Sequence, residues 1–232
     1  MLRLVLSFLQ SAFTHIRKEI KNKLLNKRTL TYLCVEMRPR DEHKEYLIRQ
    51  KAIELIVAEG LDGFGVNKLA RSAGVSPATI YIYYKDKEEL ISSICVGVAE
   101  KMMTFSLQNF SPDMDFADGL RVQWRNRLEY FMQCPLDMEF IEIMRYTHFY
   151  EKVTAMLTVN FGQVLGAFMR NAEEKQQLIP LPFEVYWAVA YAPLYQLIKF
   201  HNQGNSYVNS SFKLDDKLME QALGLVLKAL KP

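Results

Sequence analysis

The stretch that most constrains this chain is FGVNKLARSAGVSPATIYIYYKDKEEL, residues 64–90, because it leaves room only for short helices joined by sharp turns. Ala73-Gly74-Val75 marks a tight turn. Ser76 directly after it is a strong helix N-cap, and Pro77 occupies the first helical position, where its missing N–H costs nothing. Asp86, bracketed by Lys85 and Lys87, then starts the next helix. Between these signals only a short helix fits. On it Ile80 and Tyr84 share a face and pack on Leu69 and Val75, which leaves Ala78, Thr79, Tyr81, Ile82 and Tyr83 toward the outside or the edges. One tyrosine belongs to the core and two are presented. A tyrosine hydroxyl at such an edge suits a phosphate oxygen, and the macrodipole disfavours a lysine in a first helical turn unless an anion lies nearby.

Upstream, Ile48, Ala52, Leu55 and Ile56 form one buried stripe of a helix over about residues 42–59, with Gly60 at the place of a left-handed C-cap. Gly63 and Gly65 surround Phe64, expected to plug a small core, and a second helix over 66–72 turns Leu69 and Ala70 inward. Downstream, the patterning predicts helices over 86–109, 115–132, 136–148, 150–177, 183–203 and 212–230, with Pro193 kinking the fifth of these. Gly162 and Gly166 are expected to admit a neighbouring helix, with a ligand shelf as the alternative. The fold class is therefore all-α: a three-helix N-terminal module over 37–88, then a helical domain over 89–232.

Other classes are disfavoured. The longest apolar run of the 232 residues falls short of the roughly 18–20 a membrane-spanning helix needs, so no membrane association is expected. Cys34, Cys95 and Cys134 are an odd set without CxxC spacing, which fits a reduced, cytoplasmic setting. His15, His43, His148 and His201 lack ligand spacing, so no metal or other cofactor is expected. No catalytic grouping or phosphate loop occurs at usable spacing, so the chain does not read as an enzyme. Residues 1–36 carry seven Lys/Arg against two Asp/Glu, 37–88 nine against eight, and 89–232 thirteen against sixteen, so charge alone is neutral on nucleic-acid binding.

The run from Phe64 to Leu90 resembles the helix-turn-helix signature of the TetR family of bacterial transcriptional regulators: a Leu-Ala pair, Ala-Gly-Val, a small residue with Thr, an aliphatic residue and Tyr, an aromatic, and a Lys before the fourth helix. The resemblance covers about residues 44–92. It departs at Gly65, which replaces a capping Ser or Thr, at Tyr84 for Phe and at Asp86 for Ser. The resemblance implies a homodimer that sets two third helices in successive major grooves of a double-stranded operator. By position Asn67, Pro77, Ala78 and Ile82 face bases, while Thr79, Tyr81, Tyr83 and Lys87 touch phosphate or groove edges, with Ser76 at the start of the same helix. Asn67 can pair with adenine, Ala78 or Ile82 can meet a thymine methyl, and the third helix has no Arg for guanine, so an A·T-rich contact set is expected.

The resemblance also implies a dimer through the last two helices, where Leu214, Leu218, Ala222 and Leu225 line up. A repressor released by a small apolar ligand, aromatic or acyl in type, is the leading reading. Control by a protein partner without a small-molecule effector is the alternative. The aromatic load of 105–200 names the candidate ligand contacts: Phe105, Trp124, Phe131, Tyr146, Phe149, Phe168, Trp187 and Tyr191, with Arg127 or His148 as polar anchors. Residues 1–36 lie outside the family pattern. Three readings of them are open: translation from an over-early start ahead of Met37, a basic arm adding DNA affinity, or an amphipathic helix for a surface or partner.

Overall fold

The computed structural model describes residues 41–232, and these form helices and no strand. The readings of residues 1–36 and of a start at Met37 lie outside the described residues. The first helix, α1, runs Glu42–Gly63, longer than the sequence predicts. Gly60 has a positive φ of 74° but a ψ of 174°, a region open essentially to glycine alone. The chain therefore bends at Gly60 instead of stopping, and one further turn delivers Phe64 into the core.

The next elements follow their local signals. Helix α2, Val66–Ser72, starts at Gly65 without a side-chain cap, and Gly74 at φ 65° makes the turn. Helix α3, Pro77–Tyr83, begins where Thr79 N–H donates to Ser76 Oγ at 3.1 Å. Helix α4, Lys87–Ser106, begins where Glu89 N–H donates to Asp86 Oδ1 at 2.8 Å, while the Glu89 carboxylate accepts from Lys85 N–H at 2.6 Å. Two acidic residues in that first turn also suit the helix dipole.

Beyond α4 come α5 (Phe116–Gln133), α6 (Pro135–Met144) and α7 (Tyr150–Met156), which continues through a π-helical turn, Leu157–Phe161, into α8 (Gly162–Glu174). Then follow α9 (Phe183–Ala190), α10 (Ala192–Gln203) and α11 (Asp216–Leu230). Four differences from the patterning stand out. The segment expected to be one kinked helix over 183–203 is two helices broken at Tyr191, which places Pro193 in the first turn of α10, where its lack of an N–H is harmless. Helix α6 stops at Met144, and α11 starts only where Asp215 accepts from Leu218 N–H at 2.8 Å. Among the described residues no neighbouring helix lies against Gly162 or Gly166; the atoms a Cβ would meet belong to Leu157 and Arg170 of the same run.

Tyr46–Pro232 is one compact unit built on two apolar clusters. The first joins Ile48, Ile56, Leu69, Ile80 and Tyr84 to Leu90 and Ile94 of α4, and also takes in Phe140 and Met144 of α6, Phe149 just before α7 and Val153 of α7. The α1–α3 module is thus completed by residues from well outside it. Arg49 of α1 lies across α4 and donates to Ser93 O at 3.0 Å, and any Cβ at Gly97 would sit 2.0 Å from its Nη2. The second cluster gathers Trp124, Tyr130, Phe168, Tyr186, Tyr191 and Leu223 among α5–α11. There Gly119 lets α5 approach Phe168, whose ring stacks on Phe116 and meets Phe110 edge-on. Cys95 and Cys134 are free thiols, and burial pushes Cys95 up to about 11.

Candidate functional site

The first candidate surface is the outer face of α2 and α3. Ile80 and Tyr84 are buried, as their spacing requires, so α3 turns Tyr81 (52% exposed) and Ile82 (74%) outward. Asn67 on α2, and Pro77 and Ala78 at the start of α3, are exposed on the same module. Tyr83 is half-buried and packs on the first cluster. The Ser76 hydroxyl is engaged in capping, and it lies 2.9 Å from the Thr79 hydroxyl, so both act first as parts of the helix start. Lys87 reaches back across the module. Its ammonium donates to Phe64 O at 3.1 Å and sits 5.5 Å from the Phe64 ring centroid. Arg71 at the end of α2 and Lys85 just after α3 are exposed cations that the sequence reading passed over. Their positions flanking the two helices were the available signal.

The second candidate is a cavity of about 1510 Å³ walled by α4 to α10. It exceeds the roughly 300–1,000 Å³ usual for small-molecule pockets. Four methionines stand in its apolar wall, Met102 and Met103 from α4, Met138 from α6 and Met169 from α8, beside Phe131, Phe183 and Trp187. Helix α8 supplies a continuous stripe, Gly162, Gly166, Met169, Arg170 and Glu173, and the π-helical turn supplies Leu157 and Thr158. Gly162 and Gly166 thus open space on the wall. Their spacing with Met169 was the sequence signal for it.

Among the expected ligand contacts, Arg127, Phe131 and Trp187 line this cavity. The rest sit elsewhere. Trp124 is fully buried and its indole N–H donates to Ala190 O at 2.7 Å. Phe105 packs on Tyr130, Phe168 is enclosed between Phe116 and Phe110, and Tyr191 is buried in the second cluster. Phe149 belongs to the first cluster, and Tyr146 is 88% exposed. His148 is exposed too, its Nε2 2.9 Å from Glu88 Oε2 on the first turn of α4.

Arg127 is the centre of a buried polar network. It is 1% exposed, donates Nε to Tyr195 Oη at 3.1 Å and Nη1 to Gln123 Oε1 at 2.9 Å, and lies 4.3 Å from the centroid of the Tyr191 ring. Tyr191 in turn donates to Gln123 Oε1 at 2.7 Å. Burial raises the Tyr191 phenol despite the opposing pull of Arg127, and raises Tyr186 strongly, so both remain protonated donors.

Comparison with known proteins finds transcriptional regulators of one family similar to this chain. Residues 48–94 match the family model "Bacterial regulatory proteins, tetR family". An uncharacterized HTH-type transcriptional regulator of Haemophilus influenzae is 34% identical over 79 residues, which span 34% of this chain and 42% of that protein. The crystal structure of a TetR family transcription regulator from Marinobacter aquaeolei superposes with a TM-score of 0.74 at 26% identity, covering 84% of this chain and 99% of that one. The transcriptional regulator FadR from Bacillus subtilis, solved in complex with stearoyl-CoA, shares the fold at a TM-score of 0.64 and 14% identity, covering 80% of this chain and 98% of its own. Residues 48–94 thus match the helix-turn-helix module of the TetR family of bacterial transcriptional regulators, and the helical bundle that follows is similar in fold to solved regulators of that family.

Proposed function

We propose that this regulator is a repressor that binds a palindromic operator as a homodimer and leaves it when an acyl-type ligand fills the α4–α10 cavity. The division of labour is residues 37–88 for DNA and 89–232 for ligand and dimer. One observation carries the reading. Helix α4 is a single unbroken rod whose first turn is tied to the DNA module through Lys87 and Phe64, and whose last turns, at Met102, Met103 and Ser106, form the cavity wall. A ligand that moves the wall moves the base of the reading module. To weaken operator affinity a hundredfold it must favour the non-binding state by about 2.7 kcal/mol.

Methionine side chains and backbone exposed at two glycines make a wall that adapts to a long flexible chain better than to one rigid ring system. The stearoyl-CoA ligand of the Bacillus FadR fits that choice. For the dimer, α11 buries Met219, Leu223, Val226 and Leu230 inward, while Leu225 is 62% exposed beside the half-buried Leu218 and Ala222. Phe183 and Val185 of α9 are exposed as well. A second copy of the same face would cover this stripe.

The test starts from an operator selected from random duplexes and measures affinity by anisotropy across a salt series. Tyr81→Ala weakens binding to all sequences alike while leaving the salt slope in place, because a neutral hydroxyl releases no counterion, whereas Asn67→Ala relaxes preference at one base pair by about 1–3 kcal/mol. Unchanged binding in both variants overturns the assignment of the reading surface. A dimer that ignores every acyl ligand tried favours control by a protein partner.

A further inference from the structure

The charges around the cavity are unevenly distributed, and that distribution selects a head group. The charged lining residues that reach solvent are Arg145, Arg170, Glu142 and Glu184, all exposed, with the half-buried Glu173. Arg145 and Glu142 pair at 3.3 Å, which leaves Arg170 with Glu173 and Glu184, so among the described lining residues the mouth carries one more acid than base and offers little to a polyanion. Coenzyme A brings several phosphate charges, which such a rim repels within a Debye length of about 8 Å at physiological salt. The cation set deepest in the wall is Arg127, 1% exposed and held in place by Gln123, Tyr195 and Tyr191. Tyr195 lines the cavity beside it, and because its oxygen accepts from Arg127, its own O–H is left to donate. In the same network Gln123 Nε2 is buried and has no acceptor among the described residues. It cannot simply exchange places with Oε1, since Oε1 accepts from the guanidinium, which has only donors. A buried network rich in donors beside an apolar cavity is completed by a group that supplies acceptors.

Resting on the acyl-ligand reading above, we propose that the effector is an unesterified long-chain carboxylic acid, its chain along the methionine wall and its carboxylate received inside the cavity by Arg127 and Tyr195, and that a coenzyme A thioester is the poorer ligand. A charged carboxylate gains the stronger, charge-assisted hydrogen bonds from a fixed guanidinium. A neutral carbonyl does not, and the thioester must also leave its phosphates at an acidic rim.

The experiment titrates the intact wild-type protein with palmitate, palmitamide and palmitoyl-CoA below their micelle concentrations, reading tryptophan fluorescence and heat. Of the two tryptophans Trp187 stands on the cavity wall, whereas Trp124 is buried in the second cluster. The expected result is palmitate tighter than both others by about tenfold or more, with palmitoyl-CoA binding improving as salt is raised and the rim is screened. In Arg127→Gln, checked for folding by circular dichroism, the preference for palmitate over palmitamide collapses toward one. Should that variant not fold, the three-ligand comparison on wild type decides alone. Palmitoyl-CoA binding more tightly than palmitate, or palmitamide matching it, overturns the head-group assignment and leaves the acyl reading standing. Absence of binding by all three overturns the acyl reading and this inference with it.

Discussion

The two apolar clusters of this molecule are built for opposite purposes. Around α1–α4 the first is mostly Ile, Leu, Val and Ala at or near zero exposure, with Phe64 and Tyr84 at its ends and Phe140, Met144 and Phe149 joining from α6 and the turn after it. Around α5–α11 the second is rich in rings and methionines and borders the large cavity. Close packing leaves the first cluster one arrangement, so it can hold α3 at a defined angle. The second has a wall that lacks neighbours on one side, which forfeits dispersion energy but lets side chains rearrange around a guest. The contrast teaches that rigidity and adaptability are divided within one compact unit, with α4 running through both.

The largest test of this contrast is truncation. Leu69→Ala, in the filled cluster, should cost about 3 kcal/mol or more, within the range for buried leucines. Met138→Ala, on the cavity wall, should cost about half as much, because part of its surface faces no protein atom. Chemical denaturation of both variants measures the difference, and equal losses would mean that the wall is as tightly packed as the reading module.

Glycine substitutions sharpen the same point at a smaller scale. A Cβ at Gly119 meets the Phe168 ring at 2.6 Å, so Gly119→Ala should lose about 1–3 kcal/mol to overpacking. At Gly166 the nearest atom is the mobile Arg170 Nη1 at 3.3 Å, and alanine favours the helix there by up to about 1 kcal/mol. Gly166→Ala should therefore hold or raise the melting temperature while weakening palmitate, since the new methyl occupies cavity space. A Gly166→Ala protein that unfolds as readily as Gly119→Ala would place a packed helix where the structure has a void.

The smallest effect concerns the caps of the reading module. Ser76→Ala removes the bond to Thr79 N–H and should cost about 1 kcal/mol, and Gly65→Ser, which adds the cap that α2 lacks, should gain a few tenths. Thermal melts of the two single variants, and their operator affinities, show whether capping merely stabilises α3 or also sets its angle.

The order in which these features could be foreseen follows from their range along the chain. Gly74, Ser76, Pro77 and Asp86 act on residues at most a few positions away, so the turn, both helix starts and the inward placement of Ile80 and Tyr84 were legible before any tertiary information. The same holds for the positive φ at Gly60, though its extended ψ and the extra turn to Phe64 depend on the core that Phe64 enters. The aromatic count of 105–200 was legible too, but its meaning was not. Periodicity tells which side of a helix leaves water; it cannot tell whether that side meets another side chain or empty space. Trp124, Phe149, Phe168 and Tyr191 met side chains and became core, while Met102, Met138, Met169 and the Gly162–Gly166 shelf met the void. The sequence by itself thus determined the all-α class, the reading helix and its exposed Tyr81 and Ile82. Only the tertiary structure decided where the cavity lies, that Arg127 rather than His148 stands at its wall, and that α4 joins it to the DNA module, because a void is a property of several helices at once and no single segment encodes it.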